Sequence, residues 1–244
     1  MIDERRDRFL GGRVEAWQPA SGFRSGLDAV LLAAAVPAMP GESVLDLGTG
    51  AGIAALCLAA RTGARVTGLE RHPRYASLAR RNGLDVIEGD IAEMPVELRA
   101  RRFDHVMSNP PFHDRRDGTI APDPLREAAI GEEMPLAIWL DAGIRRLVPG
   151  GALTVILPAA RLRDALAALD ARMGSLRVLP IAPRAGCPAV RVLVQARKGG
   201  RAPLVLLPPF VLHRPDVASG HGDTHTDEAN AVLRGGDALP IGEI

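Results

Sequence analysis

Asn109, Pro110, Pro111 and Phe112 place an amide, two rigid prolines and an aromatic ring directly after a run typical of a buried strand. Adjacent prolines continue neither a sheet ladder nor a helix, so the chain is stiff and open at this point. The Asn109 side-chain oxygen and the Pro110 carbonyl can accept hydrogen bonds from an amine, and the Phe112 ring can stack on a planar group. This set can position a weakly nucleophilic amine for group transfer, or it can simply end a strand.

A second candidate for chemistry is the glycine-rich stretch DLGTGAG, residues 46–52. Gly48, Gly50 and Gly52 let the backbone turn tightly and approach a ligand, and the N–H groups of the following helix face that ligand. The stretch also satisfies the pattern G-x-G-x-x-A, so an NAD-type oxidoreductase is one interpretation. Asp46 argues against it, because a carboxylate there repels a pyrophosphate and attracts a cation such as a sulfonium or an ammonium group.

Two further acidic residues follow the next two predicted strands. Glu70 comes 22 residues after Gly48, where a ribose diol is commonly bound. Asp90 is followed by apolar Ile91, a pairing that suits the amine edge and flat face of an adenine, although Asp90 can also be a helix N-cap. Three acids at three successive strand ends around one glycine loop favour a binding site for a cationic adenosine derivative.

The elements that must position these residues alternate along the chain. The patterns predict strands at residues 43–47, 65–69, 86–87, 103–107 and 152–157 and helices at residues 26–36, 51–61, 73–81, 135–147 and 162–172. Alternation of this kind predicts a parallel sheet with helices on both faces. Residues 176–181 and 189–196 read as an antiparallel hairpin. The predicted fold class is α/β, a Rossmann-like doubly wound sheet that is mostly parallel with an antiparallel edge hairpin.

The motifs VLDLGTGAGIAALCLAAR, GLE, EGDI and SNPPF, in this order and spacing, resemble the class I S-adenosylmethionine-dependent methyltransferases that carry an NPP[FY] motif. The resemblance covers roughly residues 20–197. It implies a catalytic motif formed by Asn109, Pro110, Pro111 and Phe112. It also implies that the cofactor is S-adenosyl-L-methionine, bound by Asp46, Gly48, Gly50, Gly52, Glu70, Asp90, Ile91 and Asn109.

Segments outside this core resemble bacterial enzymes that methylate adenosine N6 beside the anticodon of a valine tRNA; these are residues 17–37, 126–140 and 183–199. Residues 224–234 resemble the C-terminal segment of that family, but His225 and Thr226 stand where the family usually has a tyrosine. The resemblance implies tRNA as the substrate. Methylation of rRNA guanine N2 or of protein glutamine, an oxidoreductase, and a donor-binding module without activity stay open as alternatives.

An RNA substrate needs cations near the pocket, because phosphates carry the charge of the partner. The candidates at predicted strand ends and in loops are Arg115, Arg116, Arg126, Arg184 and Arg191, together with His113 beside Phe112. Arg24 is a further candidate, in the N-terminal segment that the resemblance places near the donor. Each of them alone can also be an ordinary solvated side chain.

Composition indicates which classes of protein the chain does not resemble. The net charge of +1 gives no global basic field, and neither the two cysteines nor the six histidines have a metal-ligand spacing. Because the two cysteines form no CxxC pair, we expect a reduced, cytoplasmic protein. No apolar stretch is long enough for a membrane span, so we expect none. The expected organisation is a flanking segment at residues 1–40, a donor-binding domain at 41–200 and a partly flexible extension at 201–244.

Overall fold

The structure is a computed structural model that describes residues 4–21, 23–111, 134–215 and 224–242, and the backbone alone of residues 113–114 and 131–132. The strands in chain order are β1 (Glu4–Phe9), β2 (Val14–Pro19), β3 (Ser43–Leu47), β4 (Arg65–Glu70), β5 (Asp85–Glu88), β6 (Phe103–Ser108), β7 (His113–Asp114), β8 (Gly131–Glu132), β9 (Leu147–Pro158), β10 (Met173–Ala182), β11 (Arg191–Lys198), β12 (Val205–Leu206) and β13 (Phe210–Val211). The helices are α1 (Leu27–Ala35), α2 (Ile53–Thr62), α3 (Pro73–Arg81), α4 (Val96–Arg99), α5 (Leu136–Arg146), α6 (Leu162–Ala168) and α7 (Asp227–Asn230).

The central sheet of the described residues has nine strands in the order β12-β10-β11-β9-β6-β3-β4-β5, with β13 also paired to β10. The strands from β9 to β5 run parallel to one another. Strand β11 is antiparallel to both β9 and β10. The predicted fold class, a mostly parallel sheet with an antiparallel edge hairpin, is therefore confirmed.

Continuous apolar runs explain why the middle strands lie inside the molecule. Val44, Leu45 and Leu47 of β3 are almost fully buried, as expected for a parallel strand that helices cover on both faces. Helix α5 covers one face of the sheet with Leu140 and Ile144, which have no exposed surface. This packing fixes the helix that borders the functional cleft.

Helix α1 is buried along most of its length, because it packs against α2 and β9 and because C-terminal residues also cover it. Val232, Leu239 and Ile241 belong to the same apolar cluster as the helix, and the Leu239 amide donates a hydrogen bond to the Ala34 carbonyl over 2.9 Å. On its other side, the Gln195 side chain of β11 donates to the carbonyl of Ala35 over 3.0 Å. The described part of the C-terminal segment thus holds the N-terminal helix against the sheet.

Three features differ from the sequence-based expectations. Helix α6 ends at Ala168 rather than at residue 172, because Leu169 leaves the helical conformation and Asp170 accepts hydrogen bonds from Arg172. Strand β9 begins five residues earlier than expected. The antiparallel hairpin of β1 and β2 was not predicted at all, since the charged run of β1 lacks a clear apolar alternation.

Truncating Ile144 of α5 should weaken the fold far more than truncating Ile138 of the same helix. Ile144 is 0% exposed, so Ile144→Ala leaves a cavity and is expected to lower the free energy of unfolding by about 2–5 kcal/mol. Ile138 is 48% exposed, and we expect Ile138→Ala to change it by no more than about 0.5 kcal/mol. Urea unfolding of both variants measures this. Equal losses would contradict the packing described for α5.

Candidate functional site

A cleft lies at the carboxyl ends of the parallel strands, the usual ligand position in an open α/β sheet. It encloses about 1110 Å³, including its solvent-open mouth. Residues after β3, β4, β5 and β6 meet there, joined by side chains of α3 and α5 and by the segment before α1. The predicted residues that line it are Asp46, Gly48, Gly50, Glu70, Asp90, Ile91, Asn109, Pro110 and Pro111.

The three glycines of the loop after β3 have positive φ, and close packing also excludes a side chain at two of them, Gly48 and Gly52. A Cβ on Gly48 would lie 2.8 Å from the Trp139 ring, and a Cβ on Gly52 would lie 3.1 Å from Leu84. A Cβ on Gly50 would meet nothing within 4 Å. Gly50 therefore presents bare backbone to the cleft, while Gly52 is the N-cap of α2 and does not line the cleft.

Glu70 ends β4 and is only 9% exposed. Its Oε2 accepts a hydrogen bond from the Gly50 amide and its Oε1 accepts one from the His72 amide, both over 2.8 Å. Burial raises the pKa of Glu70, and these two amides act in the opposite direction. Each carboxylate oxygen keeps acceptor capacity toward the cleft, which is what a pair of vicinal hydroxyl groups requires.

Asp46 is the most buried acid of the site, with 2% of its surface exposed. The Thr49 hydroxyl donates to its carboxylate over 2.6 Å. The pKa of Asp46 is raised to about 7, chiefly because burial penalises the charged form; the Thr49 hydrogen bond acts to lower it and repulsion from Glu70 acts to raise it. No cationic side chain of the described residues forms an ion pair with Asp46. Two buried carboxylates of this kind suit a positively charged ligand.

Asp90 and Asn109 supply further polar atoms at the cleft. Asp90 does not cap a helix, because its Oδ1 accepts from the Ala92 amide over 2.8 Å and α4 begins only at Val96. Asn109 Oδ1 is buried and accepts no hydrogen bond from the described residues. Pro110 and Pro111, which follow Asn109, line the same cleft. An unsatisfied buried acceptor at a ligand cleft points to a donor on the ligand.

The acids, the bare glycine backbone and the unsatisfied amide fit a cationic adenosine derivative. Apolar side chains of Leu69, Ile91 and Met134 line the same cleft and can cover a flat ring. The described residues contain no cluster of three or more His, Cys, Asp or Glu side chains that could bind a metal ion. The described helices include none with the length and hydropathy to span a membrane.

The remaining predicted residues are more scattered. Arg24 donates to Asp7 over 2.7 Å and is not part of the cleft lining, although Phe23 and Ser25 are. Arg191 pairs with Asp28 over 2.9 Å at the end of the sheet that carries the cleft.

Arg184 lies in the loop between β10 and β11 at the same end of the sheet. Of His113 only the backbone is described. Four predicted residues lie outside the described residues: Phe112, Arg115, Arg116 and Arg126.

Sequence reasoning missed several residues of the cleft wall. Trp139 of α5 lines the cleft, and its indole N–H donates to Ser108 Oγ over 2.7 Å. The Tyr75 hydroxyl donates to the Phe23 carbonyl and accepts from its amide, both over 3.2 Å. Spacing along the chain gives no signal for these contacts, because they join elements that are distant in sequence.

Comparison with known proteins matches residues 25–180 to a family model described as methyltransferase small domain. A Porphyromonas gingivalis protein named tRNA1(Val) (adenine(37)-N6)-methyltransferase is 35% identical over 196 residues, which cover 71% of this chain and 76% of the relative. A Dickeya chrysanthemi protein of the same name is 31% identical over 193 residues, which cover 74% of this chain and 75% of the relative.

Solved structures show the same fold. A crystal structure described as a predicted O-methyltransferase from Agrobacterium tumefaciens has a TM-score of 0.71 and 29% identity, over 87% of this chain and 98% of that one. The 16S rRNA N2 methyltransferase of T. Thermophilus, in complex with AdoMet and guanosine, has a TM-score of 0.55 and 23% identity, over 81% and 51%. The second likeness concerns the fold alone.

Replacing Asp46 by asparagine should stabilise the ligand-free protein at high pH. Because the pKa of Asp46 is raised to about 7, the folded protein keeps a proton that the unfolded chain has already released. The stability that protonated Asp46 gives the folded protein is complete at low pH, and it is lost as the pH rises from about 4 to about 7. At pH 8, Asp46→Asn should therefore unfold with a free energy higher than that of the wild type by on the order of 3 kcal/mol.

Urea unfolding at pH 5 and pH 8 measures this difference, which should be much smaller at pH 5. Asp237→Asn is the control, because Asp237 is exposed and forms no ion pair with another described residue, so its change should stay within about 0.5 kcal/mol at both pH values. A gain from Asp46→Asn that does not depend on pH would contradict a buried, destabilising charge.

Proposed function

We propose that this chain, which belongs to the methyltransferase small domain family, methylates the exocyclic N6 amine of an adenosine in tRNA. It is an S-adenosyl-L-methionine-dependent methyltransferase, as its motifs predicted. Two relatives 35% and 31% identical carry the name of a tRNA adenine-N6 methyltransferase, and these names support the proposed acceptor. A tRNA substrate would also mean that the enzyme works in the cytoplasm.

The observation that carries the proposal is that the unsatisfied Asn109 Oδ1 and two buried acids line the same cleft. Bound S-adenosyl-L-methionine supplies an electrophilic methyl group. For this ligand, Glu70 would accept hydrogen bonds from the ribose hydroxyls and Asp46 would face its positive charge. Asp90 and Ile91 would contact the adenine ring, and the bare backbone of Gly50 permits close approach.

The acceptor amine is a poor nucleophile, because its lone pair is delocalised into the base. Asn109 Oδ1 and the Pro110 carbonyl would accept its two N–H groups and favour a tetrahedral nitrogen aimed at the donor. The adenine must leave its stack to reach the cleft, which costs least in a single-stranded loop. No strong base is needed for this role.

The alternatives differ in how well the cleft supports them. An NAD-type oxidoreductase is disfavoured, because Asp46 is buried where a pyrophosphate would approach and the family match is to methyltransferases. Methylation of guanine N2 in rRNA or of protein glutamine would use the same Asn109 chemistry. The choice among acceptors therefore rests on the names of the relatives and on experiment.

Removing the Asn109 side-chain oxygen should abolish most transfer without abolishing donor binding. With tRNA from a strain that lacks the gene, we expect Asn109→Ala to lower the rate of methyl transfer by about 10²–10³-fold, the loss typical of one transition-state hydrogen-bond partner. Asn109→Asp keeps an oxygen at the same place and should retain more activity. S-adenosylhomocysteine should still raise the melting temperature of both variants.

Nucleoside mass spectrometry of the wild-type product should show N6-methyladenosine. Appearance of N2-methylguanosine, or transfer of label to protein but not to tRNA, would contradict the proposed acceptor. Full activity of Asn109→Ala would contradict the proposed role of this residue.

A further inference from the structure

Behind the cleft, two hydrogen bonds join α5, β6 and β3. The indole N–H of Trp139 donates to Ser108 Oγ over 2.7 Å. Ser108 Oγ in turn donates to the Leu47 carbonyl over 2.7 Å. Ser108 is fully buried, so its hydroxyl uses its one proton and an acceptor lone pair on these two partners.

Two members of this chain of hydrogen bonds, Leu47 and Ser108, each adjoin a functional loop. Leu47 directly precedes Gly48, and Ser108 directly precedes Asn109. The Trp139 ring also contacts Gly48 itself, since a Cβ added there would lie 2.8 Å from the ring. One tryptophan therefore touches the glycine loop with its ring and holds the residue before Asn109 with its N–H group.

The backbone alone does not fix Asn109 relative to the glycine loop. Pairing between β3 and β6 ends at Leu47 and Ser108. Pro110 and Pro111 have no N–H group, so the ladder cannot continue beyond Asn109. The side chains of Ser108 and Trp139 thus form the last direct link between these two strand ends among the described residues.

We propose that Trp139 and Ser108 are positioning residues that set the placement of Asn109 relative to the glycine loop. This inference rests on the proposed function, in which the glycine loop holds the donor and Asn109 holds the acceptor amine. Group transfer in line is sensitive to small displacements of either partner. Loss of the link should therefore lower kcat and leave binding nearly unchanged.

Trp139→Phe keeps a ring against Gly48 and removes the N–H donor, while Ser108→Ala removes both hydrogen bonds. Each should lower kcat about 10- to 100-fold. The KM for tRNA and the Kd for S-adenosylhomocysteine should stay within about threefold of the wild type. Trp17→Phe is the matched control, because Trp17 stacks on Arg81 and does not line the cleft, and its kcat should be unchanged.

The double variant should be no slower than Ser108→Ala alone, because both substitutions break the same link. Independent, multiplicative losses in kcat would overturn the inference, as would losses confined to KM. Should Trp139→Phe fail to fold, Ser108→Ala carries the same comparison of kcat with KM.

A second measurement does not depend on activity. The chain has three asparagines, Asn82, Asn109 and Asn230, so 15N-asparagine labelling gives few side-chain amide signals, and Asn109→Asp identifies the one from Asn109. This signal should shift or broaden in Trp139→Phe and Ser108→Ala but not in Trp17→Phe. An unshifted Asn109 signal in both cleft variants overturns the inference. If the wild type methylates no tRNA, the proposed function fails and this signal alone decides the positioning role.

Discussion

Two carboxylates, buried close together at the ends of neighbouring strands, determine which ligand charge the cleft favours. Asp46 and Glu70 have raised pKa values because burial penalises their charged forms, and repulsion between them adds to the shift of Asp46. The Thr49 hydroxyl and two backbone amides stabilise their charged forms, and the nearby Arg71 and His72 also lower the pKa of Glu70, whereas no cationic side chain of the described residues forms an ion pair with Asp46. A positively charged ligand would stabilise the charged form of these acids. The burial of the two carboxylates, which destabilises the ligand-free protein, would thereby favour binding of the donor.

The topology of the sheet brings these acids close to Asn109, the residue proposed to hold the acceptor amine. Strand β3 lies between β4 and β6, so Asp46 near its end is adjacent both to Glu70 and to Asn109. The Gly48 and Thr49 amides donate to the Leu69 carbonyl, over 2.9 and 3.1 Å, and tie the loop after β3 to β4. Ser108 ties it to β6 on the other side. The proposed donor and acceptor sites would thereby lie on three adjacent strand ends, which hold their residues more precisely than a loop does.

Local patterns were enough to predict the parallel strands, the edge hairpin and the acids at the strand ends. Leu45 and its neighbours form a continuous apolar run, and Glu70 follows the next such run. The end of each run therefore predicted both where the strand ends and where its acid lies. Contacts between distant parts of the chain left no such pattern. Trp139 reads as one more apolar residue of a helix, and nothing in the sequence indicates that Leu239 bonds to Ala34. The Asp90 carboxylate was located correctly, although its local partner is a turn amide.

The most direct test of the buried-carboxylate account is the proton balance of donor binding at pH 6.5, measured by calorimetry in buffers of different ionisation enthalpy. A cationic donor beside Asp46 would lower its pKa from about 7, so binding should release a measurable fraction of a proton. The release should disappear in Asp46→Asn. Binding of S-adenosyl-L-methionine with no proton release by the wild type would contradict the claim that the cleft pairs this buried acid with the charge of the donor.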